Sequence, residues 1–196
     1  FFYNLKNRKI DCLAFISRKD KSKNYSKKIS LLNKNSFINN IHIFSNTNKL
    51  RNKEILFYGQ QNLDKLSLDE KFQVAYSKIS KNVKNIPEII IYCNLSYEKI
   101  SNSFINKNLK KFIFEGCDTL IPVIKDYSIN WNFNEQYNDY VPISKNFKSR
   151  KFKKPILKSL FGLGTVTNFV NLKIGDLISG NYHFNIVENQ KISLRN

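Results

Sequence analysis

The sequence predicts an α/β domain with a mostly parallel sheet, and three observations carry that expectation. Short, continuous apolar runs at 10–16 (IDCLAFI) and 88–93 (EIIIYC) have the pattern of strands buried on both faces. Between 54 and 124, strand patterns alternate with helical ones, as crossover connections require. A chain of 196 residues with 41% hydrophobic and 14% aromatic content fills one core and is short for two. One domain over 1–196 is expected. Because it starts at Phe1 and has no methionine, it is expected to be trimmed at its N-terminus.

The elements follow in order. Residues 10–16 form the first strand, and the polar stretch 17–28 (SRKDKSKNYSKK) lacks apolar periodicity and reads as a loop. Residues 41–44 (IHIF) and 54–58 (EILFY) are strands, the second closed by Gly59. Ser67 and Glu70 form a capping box, in which each side chain satisfies an orphan amide of the first helical turn. Leu68, Phe72, Ala75 and Ile79 make that helix's apolar stripe, and Pro87 lies beyond its end. The run 88–93 is β-branched and uninterrupted, so it belongs at the centre of the sheet.

Ser96 reads as the cap of the next helix, with Ile100, Phe104 and Ile105 inward. A second helical stretch, 109–114, stops at Gly116, and Asp118 leads into a strand at 119–124. Residues 129–133 (INWNF) alternate like an antiparallel strand, with Trp131 read as core packing beside Ile129 and Phe133. Residues 134–154 read as a surface excursion and 161–164 (FGLG) as a flexible bend. Strands at 165–170 and 182–187 are expected to lie over the end of the sheet.

Composition bounds the partners. The net charge of +18 points toward phosphates, in nucleic acid, nucleotide or an anionic surface. The lysines are scattered, however, and Lys, Asn, Ile, Phe and Ser are abundant together, so general nucleic-acid binding is disfavoured. No apolar run approaches the ~20 residues of a membrane helix, and no membrane partner is expected. Cys12, Cys93 and Cys117 are odd in number and widely spaced, which fits a reducing, cytoplasmic setting and not a structural zinc site. His42 sits in an apolar strand pattern and reads as a partly buried, satisfied histidine; His183 reads as one face of a strand.

Ligands of open α/β sheets bind beyond the carboxyl ends of the parallel strands. That rule points to 17–23, 45–48 and 94–96. Arg18, Lys21, Ser22 and Lys23 follow the first strand and are able to neutralise a triphosphate, although no glycine-rich phosphate loop is present. Asn94 and Ser96 suit a base or a sugar hydroxyl, against the simpler reading of Ser96 as a cap. Asp118 suits a divalent cation carried by phosphates, against a structural turn residue. Gly162 and Gly164 suit a substrate-side loop, against a purely conformational bend.

The order of segments resembles the acylneuraminate cytidylyltransferase family. Residues 41–48 (IHIFSNTN) are similar to that family's second strand and its V-S-T-D turn, and 54–63 (EILFYGQQNL) to its P-F-x-R-P-x-x-L segment. Residues 87–97 (PEIIIYCNLSY) resemble its L-x-P-T-S-P strand end, and 117–131 (CDTLIPVIKDYSINW) its D-S-x-x-x-V strand. Residues 160–180 (LFGLGTVTNFVNLKIGDLISG) resemble its G-x-G-x-V, L-R-x-G and G series, the most specific match. Residues 192–195 resemble its closing strand.

The resemblance implies a Rossmann-like, three-layer nucleotide-diphospho-sugar transferase-like fold. It implies transfer of CMP from CTP to an acidic, sialic-acid-like sugar with release of pyrophosphate, assisted by Mg2+, and it admits a homodimer. Arg18 and Lys21 take the catalytic place of the family's A-R-G-G-S-K loop, with Ser22 and Lys23 on the nucleotide. Asn94 and Ser96 line the cytidine pocket, while Asp118, Gly162 and Gly164 lie toward the sugar. The chain lacks both glycines of that loop, replaces P-T-S-P by Asn94-Leu95-Ser96-Tyr97, and has no clear counterpart of the family's metal carboxylates near 193–196. These departures imply the alternative of a non-catalytic nucleotide- or sugar-binding relative.

Overall fold

The computed structural model describes residues 7–16, 25–46, 55–97, 100–128, 131–143, 154–178 and 180–187. Strand β1 (Ile10–Ile16) is followed by helix α1 (Tyr25–Asn33), β2 (Asn40–Ser45) and β3 (Ile55–Gly59). A single 3-10 turn at Leu63–Lys65 leads to α2 (Leu68–Asn82), β4 (Ile89–Cys93), α3 (Asn102–Glu115) and β5 (Thr119–Asp126). The chain continues through β6 (Trp131–Asn134), β7 (Asp139–Pro142), β8 (Ile156–Ser159), β9 (Leu163–Asn168), α4 (Asn171–Ile174) and β10 (Tyr182–Ile186).

Eight strands form one sheet in the order β10-β5-β9-β4-β1-β2-β3, with β8 added along β5. The pairs β1/β2, β1/β4, β2/β3 and β5/β10 are parallel. Strand β9 runs antiparallel between β4 and β5. Because successive strand residues point to opposite faces, the central strands feed two cores. Cys12, Ala14, Ile41, Ile43, Ile89, Ile91 and Cys93 pack with Ile29 and Leu32 of α1 and Ile105, Leu109 and Phe112 of α3. Leu13, Phe44, Ile90 and Tyr92 pack on the other face with Phe72, Ala75 and Ile79 of α2 and Leu172 of α4. The result is three layers, α/β/α, and all three cysteines are buried free thiols.

The expected elements of the first half form for the expected reasons. All five residues of β4 are buried at the middle of the sheet. The Ser67 capping box is present in both directions: the Ser67 amide donates to Glu70 Oε2 at 2.7 Å, and the Glu70 amide donates to Ser67 Oγ at 3.2 Å. The Glu70 carboxyl is held below its usual range by the Ser67 amide and then by the Ser67 hydroxyl.

Four expectations are corrected. Residues 25–28 are not loop; they open α1, whose buried Tyr25, Ile29 and Leu32 fall at helical spacing. Ser96 does not cap α3: Ser101 does, its hydroxyl accepting from the Phe104 amide at 3.3 Å, and α3 runs unbroken to a left-handed Gly116. Strands β9 and β10 do not lie over the sheet's end but join it, β9 in the interior and β10 at the edge beside β5. Trp131 is not core: it is 54% exposed on the β6/β7 hairpin, a separate two-stranded sheet. No described helix is long and apolar enough to cross a membrane.

Candidate functional site

From β1 the chain runs outward through β2 and β3, then returns to place β4 on β1's other side. The carboxyl ends of β1 and β4 therefore flank the topological switch point, where the crevice of an open α/β sheet lies. Asn94, Leu95, Ser96 and Tyr97 turn out of β4 there. The Asn94 side chain organises the turn, its Oδ1 accepting from the Ser96 amide at 3.0 Å, and the Tyr97 amide donates to the Asn94 carbonyl at 3.2 Å.

A second turn, entering β9, packs on the first. The Asn94 amide donates to the Gly162 carbonyl at 2.7 Å, and the Tyr97 hydroxyl donates to the Phe161 carbonyl at 3.3 Å. The Gly162 amide donates to Thr165 Oγ1 at 3.0 Å. Gly162 has φ +87, and a Cβ there would lie 2.8 Å from Asn94 Cβ and 2.9 Å from Tyr92 Cε1. Only glycine allows this approach. Below the two turns, Phe15, Phe72, Tyr92 and Phe161 form a continuous aromatic floor, with Tyr92 5.8, 5.1 and 5.7 Å from the other three rings. Burial raises the phenols of Tyr92 and Tyr97, so both remain neutral hydrogen-bond donors.

Lys28 of α1, absent from the sequence-based site, donates its ammonium to the Leu95 carbonyl and ties α1 to the Asn94 turn. Nothing distinguished it from its neighbours in a lysine-rich stretch. At the end of β2, Asn46 is committed to structure: its Oδ1 accepts from the Leu63 amide at 2.9 Å and its Nδ2 donates to Asp64 at 2.6 Å.

The structure thus brings Asn94, Ser96 and Gly162 together. Gly164 lies deeper, against helix α3, where a Cβ would meet Asn108 Nδ2 and Ile105 Cγ1 at 3.3 Å; its place is in helix–sheet packing. Asp118 is not brought to this face. It precedes β5 at the level of Asn168, the far end of β9 from Gly162. Five strand steps of about 3.4 Å put the two ends about 17 Å apart. There Asp118 Oδ1 accepts from Asn168 Nδ2 at 3.0 Å and Oδ2 from the Asn181 amide at 3.1 Å. Its carbonyl accepts from the Asn168 amide and Asn171 Nδ2 at 3.0 and 3.2 Å. Arg18, Lys21, Ser22 and Lys23 lie outside the described residues.

The metal implied by the sequence resemblance is magnesium. That ion takes oxygen ligands and is usually held by carboxylates together with substrate phosphates. Neither 94–97 nor 160–163 contains a carboxylate, and no described group of three or more His, Cys, Asp or Glu is placed to hold a metal. These turns alone do not fit it. What they offer is an amide, a hydroxyl and backbone groups over an aromatic floor, suited to a neutral ring or a sugar.

No family model matches the chain, and no curated protein matches its sequence. Solved structures do share its fold. A 4-diphosphocytidyl-2C-methyl-D-erythritol synthase from Anaerococcus prevotii aligns with TM-score 0.60 and 8% identity, over 86% of this chain and 74% of that one. The bifunctional IspDF of Campylobacter jejuni aligns with TM-score 0.59 and 10% identity, over 92% of this chain and 50% of that one. A 2-C-methyl-D-erythritol 4-phosphate cytidylyltransferase from Francisella tularensis aligns with TM-score 0.57 and 9% identity, over 83% and 75%. At such identities the likeness is one of fold: a Rossmann-like, mixed α/β sheet.

Proposed function

We propose that this chain is a cytidylyltransferase that transfers CMP from CTP to an anionic sugar or sugar-like alcohol. The acceptor oxygen bonds to the α-phosphorus, the bond to the β-phosphate breaks, and pyrophosphate leaves while any proton on the acceptor oxygen passes to solvent. The observation that carries the reading is the pairing of the Asn94 and Gly162 turns at the switch point of a sheet shared with a structure named as a cytidylyltransferase and one named as a diphosphocytidyl-methylerythritol synthase. In this reading Asn94 and Ser96 meet the cytidine or the sugar, and Gly162 lets the two turns close. Arg18, Lys21, Ser22 and Lys23 neutralise the phosphates, which is where such a reaction needs charge.

The resemblance drawn from segment order favours a sialic-acid-like acceptor, whereas two of the structural neighbours carry a methylerythritol in their names. Both acceptors are anionic, but they attack through different oxygens: a sialic-acid-like sugar through a hydroxyl, which gives up its proton, and methylerythritol 4-phosphate through an oxygen of its phosphate, as a diphosphocytidyl product requires. Pyrophosphate release from CTP with Mg2+, assayed over nine-carbon sugar acids and methylerythritol 4-phosphate, tests the reading. Turnover with one of them is expected. No turnover, together with no calorimetric binding of CTP, would sink it.

A second reading, a relative that binds CTP without transferring it, is favoured by the absence of glycine from 17–24 and of carboxylates from both turns. CTP binding without turnover over the whole panel would select it. The primary reading also includes a homodimer in a reducing, cytoplasmic setting. Its supports are the free thiols and the β6/β7 hairpin, where Trp131, Phe133, Tyr140 and Pro142 share one largely uncovered face. Analytical ultracentrifugation at micromolar chain should give a dimer, and a monomer at every concentration would remove that part.

A further inference from the structure

On the helix layer formed by α1 and α3, a groove separates the two helices. It is shallow and open to solvent, about 550 Å³, and is lined by Ser26, Lys27, Ser30 and Leu31 of α1, by Lys34 in the turn that follows it, and by Asn102 at the start of α3. That volume is in the range of small-molecule sites. Lys27 and Lys34 are seven residues apart, about 10.5 Å along a helix axis, and Ser26 and Ser30 stand one turn apart beside them.

Among the described residues, the charge lining this groove is unbalanced. Residues 25–34 and 100–114 contain no acid, and no described carboxylate pairs with Lys27 or Lys34. Its wall is already fixed. Asn102 Nδ2 donates to the Leu31 carbonyl at 2.8 Å, and the buried Asn35 donates through Nδ2 to Asn102 Oδ1 at 3.3 Å and Asn106 Oδ1 at 2.9 Å. The ordering cost of that wall is therefore not charged to binding. Two ammonium groups and two hydroxyls remain to meet a ligand. The groove's cations are lysines, which bind phosphate as point charges without fixing its orientation.

We propose that this groove binds a small molecule bearing two or more phosphate groups, at a site separate from the Asn94–Gly162 crevice. The ammonium groups of Lys27 and Lys34 take the phosphates from either end, and the Ser26 and Ser30 hydroxyls donate to the oxygens between them.

The test is a calorimetric titration of tripolyphosphate into the full chain in about 150 mM chloride, where diffuse surface attraction is screened. Saturable binding is expected. The exposed double variant Lys27→Ala/Lys34→Ala should weaken it about tenfold or more, some 1.4 kcal/mol. The loop variant Arg18→Ala/Lys21→Ala should leave the groove event within about twofold. Acetylation footprinting of the unmutated chain should show Lys27 and Lys34 protected by the ligand. The proposal is overturned if the loop variant removes all binding while the groove variant retains it. An equal loss in Lys125→Ala/Lys158→Ala, remote lysines on β5 and β8, would also overturn it, because the attraction would then be diffuse. So would tighter binding of an eight-residue oligothymidylate through the same lysines, which would assign the groove to a nucleic-acid backbone.

Discussion

The two ends of the sheet are built differently. At the amino end of β5, Asp118 is satisfied: each carboxylate oxygen and its carbonyl accept at least one hydrogen bond, from Asn168, Asn181 and Asn171. Thr119 and Thr167 close the same knot, hydroxyl to hydroxyl, at 2.8 Å. At the carboxyl end of β4, the Asn94 side chain spends its oxygen on its own turn, and among the described residues its amide hydrogens meet no acceptor. A carboxylate invites a catalytic reading, but here each oxygen already has a partner within the fold. The less conspicuous asparagine holds the donor that a ligand can use. A buried polar group is expensive unless satisfied, so a met group marks the fold and an unmet donor marks the site.

The largest expected effect breaks another satisfied cluster. His42 Nε2 and Asp11 Oδ2 are 2.8 Å apart and fully buried, His42 Nδ1 meets the Tyr58 hydroxyl at 3.2 Å, and Asn40 also donates to Asp11. His42→Ala leaves the Asp11 carboxylate without that partner and should cost about 3–5 kcal/mol. Thermal unfolding should shift down by roughly 10 °C. A change within error would show that the cluster is not a unit.

Asp118→Asn replaces an acceptor by a donor facing the amide groups of Asn168 or Asn181 and should cost about 1–3 kcal/mol in denaturant unfolding. Gly162→Ala adds a Cβ against Asn94 at a positive φ, which should cost about 1–3 kcal/mol and weaken CTP binding as Asn94 is displaced. If it lost stability yet kept full affinity, the two turns would not form one site. The smallest effect is alkaline. Burial, and then the Asp11 charge, push the Tyr58 phenol up to about 12. A folded value above the unfolded ~10 means that this contribution is complete below pH ~10 and is lost as pH rises toward about 12. Tyr58→Phe should flatten the pH dependence of stability in that window, and an unchanged slope would assign the alkaline loss elsewhere.

The sequence made the first half legible because its signals are local. The apolar runs of β1 and β4 need burial on both faces, and Ser67 with Glu70 writes a helix start in four residues. Helix α1 was hidden because three apolar residues, Tyr25, Ile29 and Leu32, carry it within a lysine-rich stretch. The place of β9 is non-local: Thr167 pairs with both Ile90 and Thr119, strands that the linear order separates by a helix. The same holds for the site. Asn94 follows from the rule for strand ends, but its meeting with Gly162 required β9 in the sheet interior. Asp118 misled because a carboxylate before a strand looks the same whether its partners are ligands or asparagines folded back from residues 168–181.

In the function proposed above, CTP enters at the Asn94 end of the sheet and not at the Asp118 end. Calorimetric titration of CTP into the wild-type chain, Asn94→Ala and Asp118→Asn, at a temperature where all three are folded, tests it most directly. Saturable binding to the wild type is expected, weakened up to about tenfold in Asn94→Ala, the loss of roughly one neutral hydrogen bond. Asp118→Asn should bind within about twofold of the wild type. Loss of binding in Asp118→Asn with full affinity in Asn94→Ala would contradict the account.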